Sequence, residues 1–171
     1  NPGRLGFLVV LEAMGAEGHG EVTGSIHGDP IGSVSVTGAH LRSVEISGDT
    51  VAAAIDELPL VAVLGAYADG ITIVRDATEL KAKESDRTLS TTAMIRSLGG
   101  GAEATDDGFE VLGTGFLDGG LVHAAGDHRI AMAGAVAATA AQGSVTIIGA
   151  SAAGVSWPSF YETLEAVWSS R

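Results

Sequence analysis

The chain has 171 residues, 46% hydrophobic and 18% charged, with 25 Gly, 4 Pro and no Cys. That length allows one ordinary domain and a sizeable core, and the apolar share is too high for a disordered chain. No disulfide framework, thiolate metal site or thiol nucleophile is available, and a net charge of −12 from 21 acids and 9 bases disfavours nucleic-acid or anionic-membrane partners.

In chain order, apolar residues at Leu5, Leu8, Val9 and Leu11 predict a helix over 4–14, stopped by Gly15. Alternation predicts strands over 21–27 and 33–37, and more weakly over 41–46. A mostly buried helix is expected over 55–68, ended by Gly70, then a β-branched strand over 71–74. A second helix spans 85–98, followed by a glycine turn at 99–101. Short strands follow at 109–112 and 121–124, a helix at 128–141, a strand at 145–148 and a last helix at 159–168. Trp157 reads as a core aromatic anchoring that helix, with Pro158 at its first position. No apolar run approaches the roughly 18 residues of a membrane span. The start, Asn1-Pro2-Gly3-Arg4, has no Met and no signal-peptide apolar region. We expect a piece of a longer cytoplasmic protein.

The chain repeats itself. Segment 6–17 (GFLVVLEAMGAE) resembles 91–103 (TTAMIRSLGGGAE): helix, glycine break, then Ala-Glu leading into a strand. Segment 62–73 (AVLGAYADGITI) resembles 135–147 (AVAATAAQGSVTI), and Leu164-Glu165-Ala166-Val167 resembles Leu11-Glu12-Ala13-Met14. Repeated supersecondary units pack around a shared core. We expect copies of a βαβαββ unit in an α/β fold, with remnants at about 1–50, 51–115 and 116–171.

Three motifs can carry chemistry. Arg75, Lys81, Lys83, Arg87 and Arg96 concentrate cations in an acidic chain. Within them, Lys83-Glu84-Ser85-Asp86-Arg87 precedes a helix that Ser85 or Asp86 can cap. Two cations at a positive helix end suit a phosphate or carboxylate, and Glu84 can act there as acid or base. The plainer alternative is a charged capping loop. Second, Gly126-Asp127-His128-Arg129 heads the Ala-rich helix. Asp127 suits the N-cap, and Arg129 in the first turn opposes the dipole unless an anion or carboxylate compensates. His128 reads as a structural hydrogen-bonder. His123 and His128 have no convincing third ligand for a metal. Third, Ile55-Asp56-Glu57-Leu58-Pro59 heads the equivalent helix, with Asp56 as either an N-cap or a general base. Neither a dinucleotide fingerprint, a Walker A loop nor a nucleophile elbow is present.

These motifs, in order with Val155-Ser156-Trp157-Pro158-Ser159-Phe160 and Asn1-Pro2-Gly3-Arg4-Leu5-Gly6, resemble the EPSP synthase family across essentially the whole chain. The related UDP-N-acetylglucosamine enolpyruvyl transferases share the fold but lack the Lys83–Arg87 motif. The resemblance implies the inside-out α/β fold of the enolpyruvyl transferases, three βαβαββ units per domain with helices packed inside. It implies transfer of the enolpyruvyl group of phosphoenolpyruvate to shikimate 3-phosphate, with no metal or cofactor. This chain would be the partial C-terminal domain, one wall of a cleft whose other wall is the N-terminal portion. Asp56 then resembles the base on the attacking hydroxyl, with Glu57 as runner-up, and Glu84 the acid/base at the methylene. Lys83 resembles a ligand near the hydroxyl and phosphate, Arg87 and Arg129 the phosphoenolpyruvate clamp, and Asp127 and His128 positioning residues. Val155 stands where many members carry a Lys. The alternative is a noncatalytic anion-binding domain of the same fold.

Overall fold

The computed structural model describes residues 5–169. Asn1-Pro2-Gly3-Arg4, including the first residue of the helix predicted over 4–14, lies outside them. Helix α1 (Gly6–Ala13) ends at Gly15, whose φ of +99° lets the chain reverse. A long antiparallel hairpin follows, β1 (Glu17–Ile26) with β2 (Asp29–Thr37). Its turn residues His27 and Gly28 both have positive φ, the handedness that matches strand twist. Both strands start four residues before those expected over 21–27 and 33–37; β1 stops one residue short of 27 and β2 ends at Thr37 as expected.

Of the strand expected over 41–46, only β3 (Glu45–Ile46) forms, with a single bridge from Arg42 to Asp69. Helix α2 (Gly48–Ala53), unexpected from the sequence, comes next. The helix predicted over 55–68 is shorter: α3 runs Leu58–Tyr67, and residues 54–57 form a turn. Pro59 sits in its first turn, where no backbone N–H is needed. Asp56 therefore precedes the helix and is not its N-cap. Strand β4 (Ile71–Val74) lies where predicted. After a 3₁₀ turn (Thr78–Ala82), α4 (Arg87–Ser97) is capped by Asp86, whose carboxylate accepts from Leu89 N–H at 3.1 Å. Gly101 belongs to a strand, β5 (Gly101–Ala104), rather than to the glycine turn, and β6 (Phe109–Leu112) follows.

The order from β3 to β6 is strand, two helices (the short α2, then α3), strand, helix, strand, strand. These strands form one sheet in the order β3-β4-β6-β5, with β3 parallel to β4 and the other pairs antiparallel. The pattern then starts again. Strand β7 (Gly120–His123), helix α5 (His128–Ala138) and strand β8 (Val145–Ile148) make a parallel crossover. A second 3₁₀ turn (Ala150–Val155) leads to α6 (Phe160–Ser169). Trp157 is not a core residue. It is 47% exposed and meets Phe160 edge-on at 5.7 Å, and Pro158 lies before the helix rather than at its first position.

Helices α3, α4 and α5 pack on one another inside, with the sheets outside them. This is the inside-out α/β arrangement. Small residues allow the close approach. Leu58, Val61, Ala62, Gly65 and Ala66 of α3 are buried, as are Ile130, Ala133 and Ala137 of α5. They join Val74, Phe109, Val111, Leu117 and Val122 in one core. Gly65 faces β4 so closely that an added Cβ would stand 3.0 Å from Thr72 Cβ. No single helix among the described residues is long and apolar enough to cross a membrane.

Candidate active site at three helix N-termini

The heads of α3, α4 and α5 meet, so three positive helix ends face one region. Arg87, the first residue of α4, is 1% exposed and lies at the centre. Its Nε donates to Asp127 Oδ2 at 2.9 Å, its Nη1 to Asp56 Oδ1 at 3.2 Å, and its Nη2 to Asp127 Oδ1 at 3.3 Å. The same Nη2 also bonds Glu84. A guanidinium this buried needs such partners, because an unpaired charge out of water is very costly.

Asp127 is fully buried and caps α5 by accepting from Arg129 N–H at 2.8 Å. Ser85 Oγ donates to its Oδ2 at 3.1 Å, and Ser90 Oγ bonds Ser85 Oγ at 3.0 Å. Burial pushes the Asp127 carboxyl up. The Arg87 guanidinium, with the Arg129 N–H and the Ser85 hydroxyl, outweighs that and holds it below the usual carboxylate range.

Arg129, in the first turn of α5, is the cation expected to need compensation there. Its Nη1 donates to Glu57 Oε1 at 2.8 Å, and its Nη2 lies 3.5 Å from Asp56 Oδ2. Lys83 Nζ lies 4.0 Å from Asp56 Oδ1 and bonds Glu79 Oε1 at 2.5 Å. Three cations thus face Asp56, the carboxylate that the late start of α3 leaves in the turn ahead of the helix. Glu84, about half exposed, stands at the rim, with His128 Nδ1 3.6 Å from its Oε1.

The structure brings together Asp56, Lys83, Glu84, Arg87, Asp127, His128 and Arg129, with Glu57 beside them. The sequence did not point to Ser85 and Ser90 as a hydroxyl chain to Asp127. Nor did it point to the clasps that Glu57 and Glu79 form on Arg129 and Lys83. Only the Glu79–Lys83 spacing of four carried a readable signal. Glu84, Asp127 and His128 also bring ligand-type atoms within 4.8 Å of one another. Both Asp127 oxygens there already accept from Arg87, so a guanidinium fills the place a cation would take. His123 does not join that group.

Two recesses flank Asp56 and Glu57. One of about 290 Å³ is polar and adds Glu79 and Lys83. The other, about 240 Å³, adds Arg129 and the apolar Leu60, Met132 and Trp157. A groove of about 370 Å³ between α5 and α6 contains none of the charged side chains just described.

The family model of EPSP synthase (3-phosphoshikimate 1-carboxyvinyltransferase) matches residues 1–164. The chain belongs to the EPSP synthase family. The 3-phosphoshikimate 1-carboxyvinyltransferase of Synechococcus sp. (strain JA-3-3Ab) is 44% identical over 165 residues, which cover 96% of this chain and 37% of that protein. An enzyme of the same name from Bacillus cereus is 41% identical, over 96% of this chain and 38% of its own length. The solved structure of EPSP synthase from Acinetobacter baumannii superimposes with a TM-score of 0.92 at 32% identity, covering 97% of this chain and 39% of that one. The chain therefore spans less than two-fifths of the length of these EPSP synthases.

Proposed function

We propose that this chain forms one wall of an EPSP synthase active site and takes part in transfer of the carboxyvinyl group of phosphoenolpyruvate to a hydroxyl of shikimate 3-phosphate. The observation that carries this reading is the convergence of Lys83, Arg87 and Arg129 on Asp56, with Glu84 beside them, in a chain matching the family over residues 1–164. The chain is read as the partial C-terminal domain: the tail of one βαβαββ unit, a complete unit and the head of a third. The partners are the two substrates and the N-terminal portion of the enzyme, in the cytoplasm.

In the proposed reaction Asp56 accepts the proton of the substrate hydroxyl as its oxygen bonds C2 of phosphoenolpyruvate. Glu84 delivers a proton to the methylene carbon, giving a tetrahedral intermediate. The C–O bond to phosphate then breaks, the departing phosphate taking up the proton held on Asp56, and Glu84 takes a proton back from the methyl group, leaving the enol ether, inorganic phosphate and both carboxyl groups as they began. Its rim position gives Glu84 access to a ligand in the cleft. Arg87 and Arg129 hold phosphoenolpyruvate through charge-assisted bonds, and Lys83 serves the hydroxyl and phosphate region. Asp127 positions Arg87, and His128 faces Glu84. Glu57, whose carboxylate is turned to Arg129, is the weaker candidate for the base.

Phosphate release from phosphoenolpyruvate and shikimate 3-phosphate tests this, with the chain alone and with the N-terminal portion of a family enzyme. Activity only in the complemented mixture is the expected result. No activity in either, from a folded chain, would favour a noncatalytic anion-binding domain.

A further inference from the structure

We infer that Glu57 is an internal competitor for the anion site: its carboxylate holds Arg129 until a ligand's carboxylate or phosphate displaces it, and so sets the affinity of that arginine for anions. The inference rests on the reading of Arg129 as an anion ligand.

Glu57 occupies the N-cap position of α3, yet its side chain makes no capping bond. It turns instead to the head of α5, where Arg129 Nη1 donates to it at 2.8 Å. Its role is therefore not local to its own helix. The other terminal nitrogen of Arg129 faces Asp56 at 3.5 Å. The two carboxylates thus engage the two nitrogens that an incoming anion would use in a bidentate contact. Asp56 is tied to Lys83 and Arg87 as well, so Glu57 is the one placed to yield.

Two further observations fit. The Glu57 and Arg129 side chains are only 24% and 28% exposed, so water screens this pair incompletely. The comparable clasp of Glu79 on Lys83 has its carboxylate 67% exposed and competes less. Glu57 also lines both recesses beside Asp56. On leaving Arg129 its carboxylate has a polar space, with Lys83 on its wall, to move into.

The test is the binding of inorganic phosphate and of phosphoenolpyruvate to the 171-residue chain, by calorimetry or NMR titration at fixed ionic strength. Glu57→Gln keeps the side chain's size and removes its charge. It is expected to tighten binding about three- to tenfold. Arg129→Ala is expected to weaken binding, and adding Glu57→Gln to it should bring no gain. Glu57→Ala serves if the Gln variant does not fold. Unchanged or weaker binding in the Glu57 variants, with Arg129→Ala still weakening it, overturns the inference and leaves the anion-site reading intact. Binding indifferent to Arg129→Ala overturns the anion-site reading itself.

Discussion

Replacing Asp127 by Ala removes four hydrogen bonds made by a fully buried carboxylate. These are two from Arg87 at 2.9 and 3.3 Å, one from Ser85 at 3.1 Å and the cap from Arg129 N–H at 2.8 Å. Removing one partner of a buried ion pair costs about 3–5 kcal/mol because the other charge stays behind. Arg87 keeps Asp56 and Glu84, which favours the lower end. The lost cap adds about 1 kcal/mol. A total of about 4 kcal/mol is large against a typical stability of about 5–15 kcal/mol. At this chain length it should lower Tm by about 10 °C. Urea denaturation followed by circular dichroism measures it. Asp127→Asn, which keeps an oxygen for the cap, should recover about the capping contribution. The pH dependence is a further check. The native carboxyl titrates below its unfolded value of about 3.9. Its stabilisation is therefore complete well above that value and is lost as pH falls through the native one. The gap between parent and Asp127→Ala should stay level from about pH 7 to 5 and close below about pH 4. A loss under about 1 kcal/mol at neutral pH, or a gap unchanged in acid, would refute Arg87–Asp127 as the anchor of the site.

Three other outcomes are expected. In the complemented enzyme, Arg129→Ala should raise the KM for phosphoenolpyruvate at least about tenfold, as loss of a charge-assisted contact does; an unchanged KM would remove Arg129 from the clamp. Glu84→Gln should depress kcat far more than KM if it moves a proton, and initial rates across substrate concentrations separate the two. Gly65→Ala should destabilise the chain by about 1–2 kcal/mol, because its new methyl meets the rigid Thr72 and Val111 of the sheet; thermal melts that show a gain would mean that the strand gives way.

How much of this was readable from the sequence follows from the range of the forces involved. Strands β4 and β8 are β-branched runs bounded by turns, and they formed at the predicted bounds. Strand β5 has the sequence Gly-Ala-Glu-Ala and almost no strand propensity. Pairing with β6 holds it, and that is tertiary information. Helix α2 has six residues, too few to show a period. The cations of the site stood out as residue types in an acidic chain. Their partners did not, because the deciding contacts join residues 31, 40 and 72 positions apart. The start of α3 shows the same limit at short range. A helix start three residues later than expected converts Asp56 from a plausible cap into a group facing three cations.

The β1–β2 hairpin carries a consequence for how the molecule opens. Its strands of ten and nine residues pair with each other alone among the described residues, and Val22, Ile26, Val34 and Val36 are exposed on it. A lone two-stranded ribbon is marginal in water, so its amides should exchange with deuterium long before those of α3, α4 and α5. The slowest-exchanging unit would then contain the helix heads that hold Arg87 and Asp127. The charged cluster would be among the last parts of the chain to lose its geometry on opening, and the hairpin the first.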